Sequence, residues 1–266
     1  MISKIIFVFK RFAWFKRLNA KVTYELLAKN VPAKDWQFMN YGYNPNANET
    51  PIKHPESESQ PYPLQMYHYL ASKVPLQNKI VLEVGSGRGG GAKHVASFFQ
   101  PASYTGLDLA QNAVELANEI HKLPNLKFVQ GSAEALPFDD NSFDVVVNVE
   151  SCHAYGSVDK FLSEVKRVLK PGGYLLLVDF RGDNKMTILQ SKLKECGLKM
   201  VSEENISSNV IESIEAENTV KVQRIERLFP KRWQKLFGEF AGVVGSKFHV
   251  TLKNGSRQYY RFVLQK

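Results

Sequence analysis

The sequence predicts an α/β fold: a doubly wound, mainly parallel sheet closed by a C-terminal antiparallel hairpin. Three observations carry this. KIVLEVGSGRGGG at 79–91 is a β-branched apolar run followed by a glycine-dense turn, the pattern of a strand that ends in a loop and opens a helix. The later runs DVVVNV and YLLLVDF are apolar almost without interruption, which means burial on both faces and hence helices on either side of a parallel sheet. In the tail HVTLKNGSRQYYRFVLQK, Asn254-Gly255 separates two β-like runs, a hairpin signal.

In chain order, the elements fill 266 residues as one domain with embellishments. Residues 1–35 form a basic arm. Ile2, Ile5, Ile6, Phe9 and Phe12 share one side of a helical projection, away from Lys4, Lys10, Arg11 and Arg17, while Phe7 and Trp14 interrupt the polar side. Its apolar runs, Ile5–Phe9 and Phe12–Phe15, are far short of the ~20 residues that span a bilayer. The arm reads as an interfacial helix for anionic lipid, as a packed helix or lid, or as an acid-poor targeting segment. Residues 36–75 read as a covering segment, with a Pro/Asn/Ser/Glu-rich loop at 44–63 and a helix at 64–73. The main domain is expected over 76–266. Its strands fall at 79–84, 103–108, 126–130, 143–149 and 173–179, and its helices at 90–99, 110–121 and 157–169, the last with Ser157 as N-cap. A helical cap over 184–240 precedes the hairpin.

Charge is unevenly placed. Lys and Arg outnumber acids eight to one in 1–34 and 16 to nine in 181–266, but are outnumbered 11 to 16 in 35–180. The glycine-rich region is therefore acidic, which argues against a nucleic-acid groove across it. Cys152 and Cys196 have neither a disulfide framework nor metal-ligand spacing, so a reducing, cytoplasmic setting is expected.

Gly85, Gly87 and Gly90 satisfy G-x-G-x-x-G, and Asp108 ends the next strand 21 residues after Gly87, where a ribose hydroxyl needs an acceptor. An adenosine-containing ligand follows, either a nicotinamide nucleotide or S-adenosyl-L-methionine. Glu83, placed at the mouth of the loop, would repel a pyrophosphate and suits a ligand with an ammonium, a sulfonium and no phosphate.

At this point 79–91 resembles the first motif of the class I S-adenosylmethionine-dependent methyltransferases, whose fold is Rossmann-like, and LPFDDNSFDVVVNVES and FLSEVKRVLKPGGYLLLVDF resemble their later motifs. The resemblance implies cofactor contacts from Glu83, Gly85, Ser86, Gly87, Gly89, Asp108, Leu109 and Asn148. Relatives carry an acid straight after the glycine of VQG; this chain has Ser132, Ala133 and then Glu134, from which adenine contacts are expected. WQFMNYGYNPN (36–46) resembles the N-terminal segment with which lipid, sterol and tocopherol methyltransferases cover cofactor and substrate. It implies that Tyr41 and Tyr43 shield the sulfonium, with Gln65 and Tyr67 facing the same place. NVESCHAYG (148–156) follows the fourth strand, where acceptors sit beyond strand ends. His153, with an unperturbed pKa of ~6.5, is the expected base, with Glu150 beside it.

From about residue 36 onward the chain is similar to the mycobacterial phthiotriolone/phenolphthiotriolone dimycocerosate methyltransferases, in GGGA (89–92), PASYTGLDLAQ (101–111), LPFDDNSFDVVVNVES (136–151) and EFAGVVG (239–245). It departs from them in its basic start and in SCHAY. The implied activity is methyl transfer to a hydroxyl of a hydrophobic lipid- or polyketide-like molecule. C-methylation of a quinone, tocopherol-like ring or sterol is the nearest enzymatic alternative; a non-catalytic cofactor-binding protein docked on membranes through 1–34 is the alternative of another class. NVES stands where DNA amino-methyltransferases carry Asn/Asp-Pro-Pro-aromatic, and no Asp/Asp/Asn metal set is evident, so neither nucleic acid nor metal is expected. The expected setting is cytoplasmic, with contact to the inner face of a membrane through the arm. Oligomeric state stays open.

Overall fold

The central strands are buried on both faces, and successive side chains alternate between two cores, one on each side of a single sheet. The structure, a computed structural model, describes residues 36–46, 52, 60–182 and 184–266. The arm expected over 1–35 lies outside the described residues. Among the described residues, eight α-helices and seven strands follow in order: α1 (Pro61–Ala71), β1 (Ile80–Val84), α2 (Gly90–Phe98), β2 (Ser103–Asp108), α3 (Gln111–Ile120), β3 (Leu126–Gln130), β4 (Phe143–Val149), α4 (Val158–Val168), β5 (Leu169–Gly182), α5 (Lys185–Glu195), β6 (Lys199–Asn205), α6 (Ser207–Leu228), α7 (Lys231–Ala241), α8 (Lys247–Lys253) and β7 (Arg257–Gln265).

The strand order is β3-β2-β1-β4-β5-β7-β6. β1 to β5 run parallel, and β7 lies antiparallel between β5 and β6. Val81, Tyr104, Val145, Val147 and Leu176 face a core shared with α1 and α2. Their neighbours Leu82, Val84, Val146, Leu175 and Leu177 face the opposite core, against Phe161, Leu162 and Val165 of α4 and Leu189 and Leu193 of α5. Ser157 caps α4 as expected: its Oγ accepts the Lys160 N–H at 3.3 Å.

Three sequence expectations are corrected. The antiparallel closure is present, but β7 pairs with 199–205 and with β5, not with 249–253. HVTLK instead continues α8, capped by Ser246 and burying Phe248, His249 and Leu252, so tertiary packing overrides its β propensity. The stretch 184–240 is not helical throughout, because KMVSEEN is an edge strand of alternating half-burial; its exposed Lys and Glu guard an edge and read as helix formers. Finally, β5 begins at Leu169 and runs through Pro171-Gly172-Gly173 rather than starting at 173.

Helix α2 packs against α1 without side-chain clearance at Gly91, where an added Cβ would lie 2.0 Å from the Tyr67 ring. Gly91→Val is expected to lower unfolding free energy by roughly 1–3 kcal/mol or more, measured by chemical denaturation.

Candidate active site

The carboxyl ends of β1, β2 and β4 open into one cleft of about 990 Å³, counting space continuous with solvent. Its floor is the glycine loop, with Gly85, Ser86, Gly87 and Arg88 on the wall. Asp108, Leu109 and Ala110 line a second side, Ser132, Ala133 and Glu134 a third, and Glu150, Ser151, Ala154 and Tyr155 the far end. This is the crevice beyond parallel strand ends where open α/β sheets bind ligands.

Asp108 organises the loop. Its Oδ2 accepts the Gly87 N–H at 2.8 Å and its Oδ1 the Ala110 N–H at 2.9 Å, so the acid that ends β2 holds the turn after β1. Gly87 has φ of +52°, and a Cβ there would meet only Met39 Cγ, at 3.8 Å; the missing side chain leaves room inside the cleft. Ser86 Oγ is buried and has no hydrogen-bond partner among the described residues. Glu134 Oε1 accepts the Gly156 N–H at 2.8 Å, tying the loop after β3 to the segment after β4.

Six residues expected at the cofactor are placed elsewhere. Glu83 does not line the cleft; it points to the α1 side of the sheet, fully buried, where it accepts the Tyr67 hydroxyl at 2.7 Å and the Tyr104 hydroxyl at 3.0 Å. Burial pushes its pKa up to about 7. The repulsion expected from Glu83 at the loop's mouth therefore does not come from that residue; the carboxylate that meets the loop is Asp108. Gly89 is a packing glycine: a Cβ would sit 2.6 Å from Phe128 and 2.8 Å from His121. Asn148 lies beneath the cleft, donating to the Val84 carbonyl and to the Ser151 and Tyr155 hydroxyls at 2.8–2.9 Å. Tyr41 stacks on Phe248 with ring centroids 3.8 Å apart and Tyr43 stacks on Tyr69 at 4.0 Å, so neither ring walls the cleft. The segment does cover it, but through Gln37, Phe38, Met39 and Asn40. Of the pair in α1, Tyr67 lines the cleft, whereas Gln65 accepts the Ile52 N–H. Motif spacing carries no signal for Met39, which chain crossing brings in, nor for the role of Arg88, which sits in the glycine loop and donates to the Trp36 carbonyl of the covering segment at 2.8 Å.

Glu150 precedes the short 3₁₀ turn Cys152–Ala154, and His153 lies within it. Glu150 adopts φ of +48°, rare for a side-chain-bearing residue. Its Oε1 accepts the Tyr41 N–H at 2.8 Å and the Tyr259 hydroxyl. Burial pushes its pKa up to about 8, against those hydrogen bonds. His153 turns away from the cleft toward an adjoining groove, its ring 4.4 Å from Phe180. Its Nδ1 lies 2.8 Å from Asp179 Oδ1. An ionised carboxylate only accepts, so Nδ1 is the donor of this bond, and the neutral form of the ring is the tautomer with its lone pair on Nε2. Asp179 is fully buried, yet Arg181 at 3.0 Å, with the His153 side chain, holds its pKa far below the usual range. Among the described residues, no group of three or more His, Cys, Asp or Glu is placed to hold a metal ion, and no helix is long and apolar enough to cross a membrane.

Residues 82–177 match the methyltransferase domain family. The chain belongs to the class I S-adenosylmethionine-dependent methyltransferases, and its cofactor is S-adenosyl-L-methionine. It is 36% identical over 244 residues to a phthiotriol/phenolphthiotriol dimycocerosates methyltransferase of Mycobacterium tuberculosis, covering 91% of this chain and 90% of that one. It is 38% identical over 241 residues to a fatty-acid O-methyltransferase of Mycolicibacterium smegmatis, covering 86% of each. In fold it is similar to a putative sarcosine dimethylglycine methyltransferase from Galdieria sulphuraria, at 19% identity and a TM-score of 0.71, over 88% of this chain and 96% of that one. The cleft fits the cofactor on its own geometry: the orphaned Ser86 Oγ and the open space at Gly87 are a polar partner and a cradle awaiting a group.

Two outcomes test these assignments. Gly87→Leu is expected to weaken S-adenosylhomocysteine binding by about 100-fold, or ~2.7 kcal/mol, in calorimetry, with the fold intact; Gly89→Leu should instead destabilise the fold. Because Glu83 has a folded pKa of about 7 against an ordinary 4.5, its contribution to stability is full at low pH and is lost as pH rises through about 7. Melting temperature should fall with pH across that window more steeply in wild type than in Glu83→Gln.

Proposed function

We propose that the protein methylates an oxygen, in first place a hydroxyl, of a hydrophobic lipid- or polyketide-like acceptor. Support for the lipid class comes from the two relatives above, whose acceptors are named as phthiotriol dimycocerosates and a fatty acid. The observation that carries the hydroxyl is the His153–Asp179 pair. A carboxylic acid arrives at neutral pH already ionised and needs no base. A hydroxyl must give up a proton, and an imidazole oriented through Nδ1 offers Nε2 for it.

In this reading Gly85, Ser86, Gly87, Asp108 and Leu109 hold the methionine and ribose end of the cofactor. Ser132, Ala133 and Glu134 flank the adenine, and Gln37–Asn40 close over it. Bound there, S-adenosylmethionine supplies a methyl group on a sulfonium. Glu83 and Asn148 act beneath the cleft as positioning residues. The acceptor must bridge two spaces: the cleft, where Glu150, its pKa raised by burial, can hold the acceptor oxygen with its carboxyl proton, and the adjoining groove, which His153 lines and from which it takes the proton that leaves. Holding both reactants at near-attack distance supplies the larger part of the rate.

The deciding experiment incubates the protein with S-adenosylmethionine and long-chain hydroxylated lipids or fatty acids, and follows S-adenosylhomocysteine and the methylated product by mass spectrometry. Ethers are expected; methyl esters alone would replace the hydroxyl with a carboxylate, and carbon-methylated products would overturn the reading. His153→Ala should cut ether formation about 100-fold or more while leaving cofactor affinity unchanged, and should spare any methylation of a carboxylate.

A further inference from the structure

Helix α7 turns an apolar stripe to solvent. Trp233, Leu236 and Phe240 are 46%, 58% and 36% exposed, and their i, i+3, i+7 spacing places them on one side over about 10 Å. The opposite side, at Gly238 and Ala241, packs into the protein. Val244, just beyond the helix, is also exposed. Lys231, Arg232 and Lys235 are exposed on the same helix. Over 226–240 the chain has Arg227, Lys231, Arg232 and Lys235 against Glu226 and Glu239.

We propose that α7 is a docking face for an anionic phospholipid surface. Exposed Trp, Leu and Phe on a short helix bordered by Arg and Lys match the headgroup–acyl boundary in both chemistry and depth. Charge chooses among occupants. A second copy meeting this face by two-fold symmetry would set the same cations against each other, whereas anionic headgroups neutralise them. The face is also connected to the cleft. Tyr41 donates its hydroxyl to the Phe240 carbonyl at 3.2 Å and its backbone N–H to Glu150, so the docking helix abuts the segment that covers the cofactor cleft. A hydrophobic molecule leaving the bilayer at α7 reaches that segment directly.

The test is flotation of the full-length chain with phosphatidylcholine vesicles, with and without phosphatidylglycerol. Wild type should float with the anionic vesicles and lose binding as salt is raised. The double variant Trp233→Glu/Leu236→Glu should lose at least about tenfold in partitioning with an unchanged melting temperature, since both side chains are exposed. Arg232→Glu/Lys235→Glu should weaken binding to anionic vesicles. Equal flotation of the apolar double variant and wild type overturns the proposal, as does wild type that does not float or that binds neutral vesicles equally well. A dimer in sedimentation that the double variant abolishes while flotation is unchanged assigns the face to a second copy and overturns it too. None of these outcomes depends on the acceptor, so they stand apart from the methyl-transfer reading.

Discussion

One buried carboxylate ties together the elements that make the cleft. Glu83 belongs to β1, and its two hydrogen bonds reach Tyr67 on α1 and Tyr104 on β2. An unpaired acid at that depth costs several kcal/mol. The arrangement therefore persists only while α1, β1 and β2 keep their register. Tyr67 is also the ring that α2 packs against at Gly91 and a wall of the cleft. The glycine loop thus leaves β1 from a platform set from below by Glu83, and is held from the side by Asp108.

Glu150 does the same for the cover. Its Oε1 gathers the backbone of Tyr41 and the hydroxyl of Tyr259 on β7. Tyr41 in turn reaches α7 through Phe240 and accepts the Ser213 hydroxyl of α6. The segment over the cleft is consequently fastened to β4, β7, α6 and α7 around a single residue. A left-handed backbone at Glu150 is the local strain such convergence sustains.

Much of this was legible in the sequence. The glycine loop, Asp108 and the apolar strands each report a local rule, so the sheet, its order of elements and the cofactor cleft follow from spacing. Glu83 shows where that ends. Its place on β1 is plain, but a strand alternates faces, and only the packing of α1 against that face decides whether the acid meets ligand or tyrosine. The same holds for Tyr41 and Tyr43, aromatic residues in a covering segment whose rings find Phe248 and Tyr69 instead of the cleft. Edge strand 199–205 and helix 247–253 were misread for one reason: half-exposed Lys/Glu and β-branched residues state preferences that neighbouring elements overrule. His153 is the expected base by type and position; its partner Asp179, 26 residues on, carries no such signal in the sequence.

Environment alone separates the acid that follows β4 from the one that lies in β5. Both are buried. Asp179 is met by the Arg181 guanidinium, by His153 and by two backbone N–H groups, and stays ionised. Glu150 has only a backbone N–H, a phenol and the distant charge of Lys221, so burial wins and it holds its proton near neutrality. Carboxylates pushed in opposite directions can take different roles, here one at the cleft and one behind the groove that His153 lines. The ionised one can do no more than accept, which fixes the His153 tautomer and leaves Nε2 free. The neutral one can donate. A hydroxyl acceptor needs both an oxygen held by a donor and a proton taken by a base, and a carboxylate acceptor needs only the first; the presence of both groups is what sets the proposed acceptor on the hydroxyl side.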